Sequence, residues 1–206
     1  MKRGISVNEL YNKKRALLDF TDEWLKGFGK PEQKGSWLVW GPSYNGKTTF
    51  VCQLAKYLTS FGKVVYNSLE EGESKSMENA FRRVGMEEAR RKIILLDKAP
   101  LTEIKQRLAE RRPPKFVIMD SVQYAEMHLK DYKQLLADYP NTVFIWVSHE
   151  KGKLPEGRMA DKIRYDAMVK IRVVGYKAFI NSRFNEGASE FIVWKEGAEK
   201  YHGAQF

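Results

Sequence analysis

One cysteine in 206 residues leaves no room for an intrachain disulfide or a cysteine-based metal cage. No apolar run approaches the roughly 20 residues that cross a bilayer, so a membrane-spanning helix is excluded. The basic start Met1-Lys2-Arg3 has no hydrophobic run behind it and does not read as a secretory signal. Internal repeats and low-complexity tracts are missing too, and the length suits one domain with at most a short appendage. A cytoplasmic globular protein is the expectation.

Against these absences stands one dense motif, Gly41-Pro42-Ser43-Tyr44-Asn45-Gly46-Lys47-Thr48, followed by Thr49. The apolar run Trp37-Leu38-Val39-Trp40 precedes it, and Phe50, Val51, Leu54, Ala55 and Leu58 follow at helical spacing. The glycines let backbone N–H groups curl toward a phosphate, Lys47 reaches the outer phosphate oxygens, and Thr48 offers a hydroxyl to Mg²⁺. Nucleoside triphosphate binding over residues 41–49 is therefore expected. Cys52 falls in the helix behind the loop and reads as a small core residue.

Strands and helices alternate along the rest of the chain. Ser6-Val7-Asn8-Glu9 is a capping box, with apolar residues at helical spacing through Leu18, and Thr21 can cap a second helix that stops at Gly27. Gly29-Lys30-Pro31 marks a linker, which predicts a helical appendage over 1–30 and a nucleotide domain over 31–206. Strands are predicted at Val64 to Ser68, Ile93 to Leu96, Phe116 to Asp120 and Val143 to Val147, with helices between them. This spacing implies an α/β fold with a mostly parallel, doubly wound sheet. Met168 to Val174, Tyr176 to Asn181 and Glu190 to Trp194 read as antiparallel hairpins added at the end, so that the chain finishes in strands.

The chemistry-bearing residues close the predicted strands, where open α/β sheets place ligands. Asp120 ends an apolar strand and fits a carboxylate that holds Mg²⁺ through its waters. Residue 121 is a serine, so the group that activates water must come from another strand end, where Glu70 and Glu71 stand side by side. His149 closes a further strand and is a candidate sensor of the terminal phosphate. Net charge is +10, which points to an anionic partner larger than the nucleotide. Half of that excess lies between positions 149 and 183, where nine basic residues face four acidic ones.

Lys34-Gly35-Ser36 before the loop, Tyr66-Asn67-Ser68-Leu69-Glu70-Glu71, Asp120-Ser121-Val122-Gln123 and Val147-Ser148-His149-Glu150-Lys151-Gly152 together resemble the RecA-like P-loop ATPases. The likeness spans about residues 34–185 and is strongest to the RadA/Sms branch and to the ATPase core of DnaB-type helicases. It implies that Glu70 is the catalytic glutamate and that ATP is the nucleotide. Asn181-Ser182-Arg183-Phe184-Asn185 is similar to part of a family signature, which implies that Arg183 serves a neighbouring subunit's nucleotide, with Lys170, Arg172 and Lys177 as rivals. The resemblance also places single-stranded DNA against a short loop near Gln123 to His128 and a longer one from Glu150 to Tyr165. Lys151, Lys153, Arg158, Lys162 and Arg164 are the phosphate contacts this implies. The expectation is a minimal motor core of the kind carried by phages and mobile elements. It would be a Mg²⁺-dependent ATPase that forms a ring or filament on single strands in recombination, annealing or unwinding. Two alternatives stay open: a nucleotide-gated switch or scaffold in the manner of KaiC-like proteins, and a P-loop kinase, disfavoured because no arginine-rich lid is apparent and the chain ends in strands.

Overall fold

The computed structural model describes residues 3–203. Helices α1 (Val7–Tyr11) and α2 (Asp22–Phe28) lead into β1 (Gly35–Trp40), α3 (Lys47–Leu58), β2 (Val64–Ser68), α4 (Lys75–Arg83), β3 (Ile93–Asp97), α5 (Leu101–Leu108) and β4 (Phe116–Asp120). Then come α6 (Leu129–Asp138), β5 (Val143–Ser148), a small hairpin of β6 (Glu150–Lys151) and β7 (Leu154–Pro155), α7 (Arg158–Asp166), β8 (Val169–Val174), β9 (Lys177–Ser182), β10 (Ala188–Ile192) and α8 (Lys195–His202). Eight strands form one sheet in the order β10-β9-β8-β1-β5-β4-β2-β3.

The central strands are continuously apolar because helices cover both faces of the sheet. Alternation along each strand splits its side chains between two cores. Trp37, Val39, Ile118 and Ile145 face α3 on one side, whereas Leu38, Trp40, Val117, Phe144 and Trp146 pack with α5, α6 and α7 on the other. Parallel registers β1 with β5 and β5 with β4 set Trp40, Ser148 and Asp120 at one edge of the sheet. That edge carries the site.

The C-terminal third departs from expectation in three ways. β8 runs parallel to β1, with Trp37 beside Val169 and Trp40 beside Arg172, so it belongs to the parallel core and only β9 and β10 are antiparallel. A parallel strand needs a crossover, and α7 supplies it from a stretch that reads as a polar loop. The last strand lies at Ala188–Ile192, two residues earlier than expected, and the chain continues into α8. A chain that ended in strands was one ground for setting a kinase aside; the terminal helix removes that ground.

At the other end the capping box forms, with the Glu9 backbone N–H donating to Ser6 Oγ at 3.2 Å and the Ser6 N–H to Glu9 at 2.7 Å. The helix nevertheless stops at Tyr11 instead of running to Leu18. Asn12 bonds back to the Asn8 carbonyl, a competitor for the helical ladder, and Leu17 and Leu18 pair instead with the segment at Pro31 and Glu32. Helix α2 is bound firmly to the sheet: Trp24 stacks on Tyr57 at 4.8 Å and packs on Phe191 at 4.5 Å, while Phe28 meets Trp37 at 5.4 Å. Thus only the segment before Leu17 stands off the core, exposing Val7, Leu10 and Tyr11. Among the described residues no helix is long and apolar enough to cross a membrane.

Candidate functional site

Between β1 and α3 the chain turns tightly. A side chain at Gly41 would sit 2.0 Å from the Val173 carbonyl oxygen, so the loop can hug β8 only with glycine there. Gly46 lies at φ +91° and packs on Tyr176. Tyr176 and Gly175 form the two-residue turn between β8 and β9, both at positive φ, as a type I′ hairpin turn requires. Their N–H groups donate to Asn45, at 3.0 Å to its carbonyl and 2.8 Å to its side chain. This hairpin buttresses the phosphate loop from a point 130 residues away, and no local motif announces it.

A cavity of about 420 Å³ opens over the loop, lined by Lys47, Thr48, Thr49, Glu70, Arg83, Asp120, His149 and Tyr176 among others. Lys47 Nζ donates to the carbonyls of Gly41 and Ser148, each at 3.3 Å. Burial pulls its pKa down, while Asp120, Glu70 and Glu150 pull it up. Asp120 accepts from the Tyr66 hydroxyl at 2.5 Å. Burial pushes its carboxyl up to about 6, against the opposing pull of that hydroxyl and of Lys47. Burial also raises the Cys52 thiol, which keeps it protonated within the core.

The two candidate glutamates part ways. The N–H groups of Leu69 and Glu70 both donate to the Asp120 carbonyl, pinning the end of β2 to the end of β4. From there Glu70 Oε2 meets His149 Nε2 at 3.0 Å, with the Ser121 hydroxyl 3.5 Å away. Glu71 instead accepts from Ser74 and Ser76 at the start of α4. Lys47, Thr48, Glu70, Asp120 and His149 thus share one cavity.

Thr48 and Asp120 present hydroxyl and carboxylate oxygens, the hard donors that Mg²⁺ prefers. No cluster of three metal-ligating side chains exists among the described residues. The set therefore fits an ion that arrives with phosphate oxygens and keeps its waters. Raised titration of Asp120 carries a sign for stability. The folded state holds the proton up to about pH 6, whereas the unfolded chain releases it near 3.8. Stability contributed by the protonated form is therefore lost as pH rises through that window. Asp120→Asn, which keeps an acceptor for Tyr66, is expected to melt higher than wild type at pH 8 without nucleotide or Mg²⁺, by a gain of roughly 1–3 kcal/mol. The gap should close toward pH 4; melting curves at the two pH values test it, and a variant less stable at pH 8 contradicts it.

Arg183 is not part of this cavity. Its N–H donates to Met168, whose own N–H bonds Ser36 at the opposite end of β1, about 16 Å from Gly41 at roughly 3.3 Å per residue. Of its rivals, Arg172 is held by both carboxylate oxygens of Glu150, at 2.7 and 2.8 Å, and Lys177 bonds Glu190. Lys170 lies near Arg183 and Arg164; burial and these two cations lower its pKa.

The stretch from Glu150 to Tyr165, read from sequence as a loop, is the β6–β7 hairpin followed by α7, whose Ala160 and Ile163 are buried. Lys151, Lys153, Arg158 and Lys162 are exposed on it. Arg164 is half-buried, paired with Asp161 at 3.1 Å and set over the Tyr165 ring. The Trp40 indole N–H donates to the Lys153 carbonyl, which ties the hairpin to β1. Gln123 adds a brace: its amide donates to Ser148 Oγ at 2.8 Å and to the Glu156 carbonyl at 2.7 Å. Neither brace is visible as a motif.

A phosphate loop at the carboxyl end of β1, carboxylates at the ends of β2 and β4, and this strand order define the RecA-like P-loop ATPase fold. Solved structures with that likeness include the flagellar accessory protein FlaH from Methanocaldococcus jannaschii, with a TM-score of 0.56 and 18% identity, covering 86% of this chain and 94% of that one. The ATPase domain of a DnaB-type helicase matches at a TM-score of 0.57 and 18% identity, over 81% of this chain and 84% of that one. A KaiC-like protein from Pyrococcus horikoshii OT3 matches at 0.57 and 18%, over 87% and 92%. No protein-family model and no curated protein sequence matches the chain.

Proposed function

We propose that this chain binds ATP with Mg²⁺, hydrolyses it, and couples hydrolysis to single-stranded DNA as a cytoplasmic ring or filament that serves recombination, annealing or unwinding. The observation that carries the reading is the Glu70–His149 pair at 3.0 Å, in one cavity with Lys47, Thr48 and Asp120. The basic hairpin starts at the very next residue, Glu150.

Lys47 and the loop N–H groups hold the phosphate oxygens. Bound at Thr48 and Asp120, Mg²⁺ neutralises charge on those oxygens. Glu70 takes the proton of the attacking water as its oxygen bonds the terminal phosphorus and the bridging oxygen departs with the diphosphate. His149 orients Glu70 and senses the phosphate, and its movement is passed to the hairpin that follows it. Arg183, too far from its own cavity, serves the nucleotide of an adjacent copy as a stabilising cation. Lys151, Lys153, Arg158, Lys162 and Arg164 bind strand phosphates.

Steady-state ATP hydrolysis with and without single-stranded DNA tests this. DNA is expected to raise the rate, and binding to weaken with salt. The Lys151→Ala/Lys153→Ala double variant should lower the slope of log affinity against log salt by about 1.4, since each single-strand phosphate contact contributes roughly 0.7. Unchanged rates with DNA and no salt-dependent binding overturn the DNA half of the proposal. A second reading, in which ATP gates assembly with a protein partner and turnover is incidental, draws support from the apolar residues exposed on α1. Hydrolysis indifferent to DNA, with an ATP-dependent change in assembly mass, favours it.

A further inference from the structure

Two adjacent arginines close helix α4, and their partners differ. Arg82 Nε donates to Glu78 one turn back at 2.8 Å, an ordinary exposed helix pair. Arg83 leaves the helix in another direction: its guanidinium donates to Thr49 Oγ1 at 3.0 Å and lines the same cavity as Lys47, Thr48 and Asp120. Thr49 follows the motif threonine in the first turn of α3, where backbone N–H groups gather to meet a phosphate.

Charge within the cavity gives the contact its meaning. Glu70, Glu71 and Asp120 line it, and from the phosphate loop Lys47 alone opposes them. A polyanion entering such a pocket meets more like charge than unlike. Arg83 changes that balance, and among the described residues it makes no ion pair of its own. A guanidinium presents five N–H donors in a planar fork that matches phosphate oxygens. One hydroxyl engages one of them.

We propose that Arg83 is a second cationic phosphate ligand, supplied by this chain to its own nucleotide: it grips the polyphosphate from the Thr49 rim while Lys47 grips it from the loop. The inference rests on the nucleotide reading of this cavity and adds to it a contact that lies 36 positions beyond the motif lysine. It also makes the end of α4 a structural element that closes on bound nucleotide.

Calorimetric titration of the full chain with ATP and with ADP, in Mg²⁺, tests it on wild type, Arg83→Ala, Arg83→Lys and Arg82→Ala. Loss of a charge-assisted contact is expected to weaken ATP about 10- to 100-fold in Arg83→Ala. Arg83→Lys should recover part of the loss, because charge returns but the fork does not. Arg82→Ala should stay within about twofold, as befits an exposed pair. An equal loss for ADP assigns the grip to the inner phosphates, and a smaller loss assigns it to the terminal one; both support the proposal. Arg83→Ala binding both nucleotides within about twofold of wild type overturns it while leaving the nucleotide site intact. A wild type that binds no ATP sinks the site reading and this inference together. Should Arg83→Ala lose its cooperative melt, Arg83→Lys decides: affinity lowered threefold or more supports the proposal, and unchanged affinity overturns it.

Discussion

Replacing Glu70 by glutamine is expected to leave ATP bound and stop its hydrolysis, with kcat lower by roughly 10²–10⁴, the usual worth of a positioned general base. The substitution keeps size and a hydrogen-bonding oxygen, so the 3.0 Å contact with His149 can persist and the cavity keeps its shape. What disappears is the ability to accept a proton. Single-turnover measurement of phosphate release, beside equilibrium binding of ATP, separates the two effects. Glu71→Gln is the internal control: Glu71 is engaged with Ser74 and Ser76 at the start of α4, so its loss should disturb that helix start and leave turnover within a few-fold of wild type. Should Glu71→Gln abolish turnover and Glu70→Gln spare it, the base has been assigned to the wrong neighbour.

Lys47→Ala is expected to abolish measurable nucleotide binding, a loss of about 100-fold or more if the lysine makes several charge-assisted contacts with phosphate oxygens. Stability of the free protein should move little. Burial already disfavours the Lys47 ammonium, and its partners are the carbonyls of Gly41 and Ser148 together with the field of Asp120. Removing it relieves that burial but withdraws a cation that lowers the Asp120 pKa, so the Asp120 carboxyl should titrate above its value of about 6 in the variant. Calorimetric titration with ATP, alongside a melt and a carboxyl titration by NMR, reads all three. A Lys47→Ala protein that binds ATP as wild type does contradicts the assignment of the loop.

Much of this site is legible along the chain because it is written in short segments. The loop needs glycine at 41 to pass the Val173 carbonyl and at 46 to adopt φ +91°, and both glycines stand in the motif. β4 and β5 are uninterrupted apolar runs that end in a polar residue, so Asp120 and His149 announce themselves at or just past strand ends. Helix α7 was harder to see. Its buried face rests on Ala160 and Ile163 within a stretch dominated by charge, so the apolar period is too thin to stand out, and β8 consequently read as the start of an antiparallel unit. Helix α1 failed in the opposite sense: its apolar spacing runs on to Leu18, but pairing with Pro31 and Glu32 claims that end of it.

Local chemistry was enough to establish an α/β chain, a phosphate-binding loop and carboxylates at strand ends, because each depends on a few neighbouring residues and on the conformations they permit. Which groups meet was decided by the order of strands in the sheet. Glu70 and His149 are 79 positions apart, Arg83 and Thr49 are 34, and Asn45 and Gly175 are 130. Those separations close only when β5 lies between β1 and β4, β8 flanks β1 and α4 packs beside α3. Strand order is a property of how whole faces bury one another, and no residue's immediate neighbours encode it.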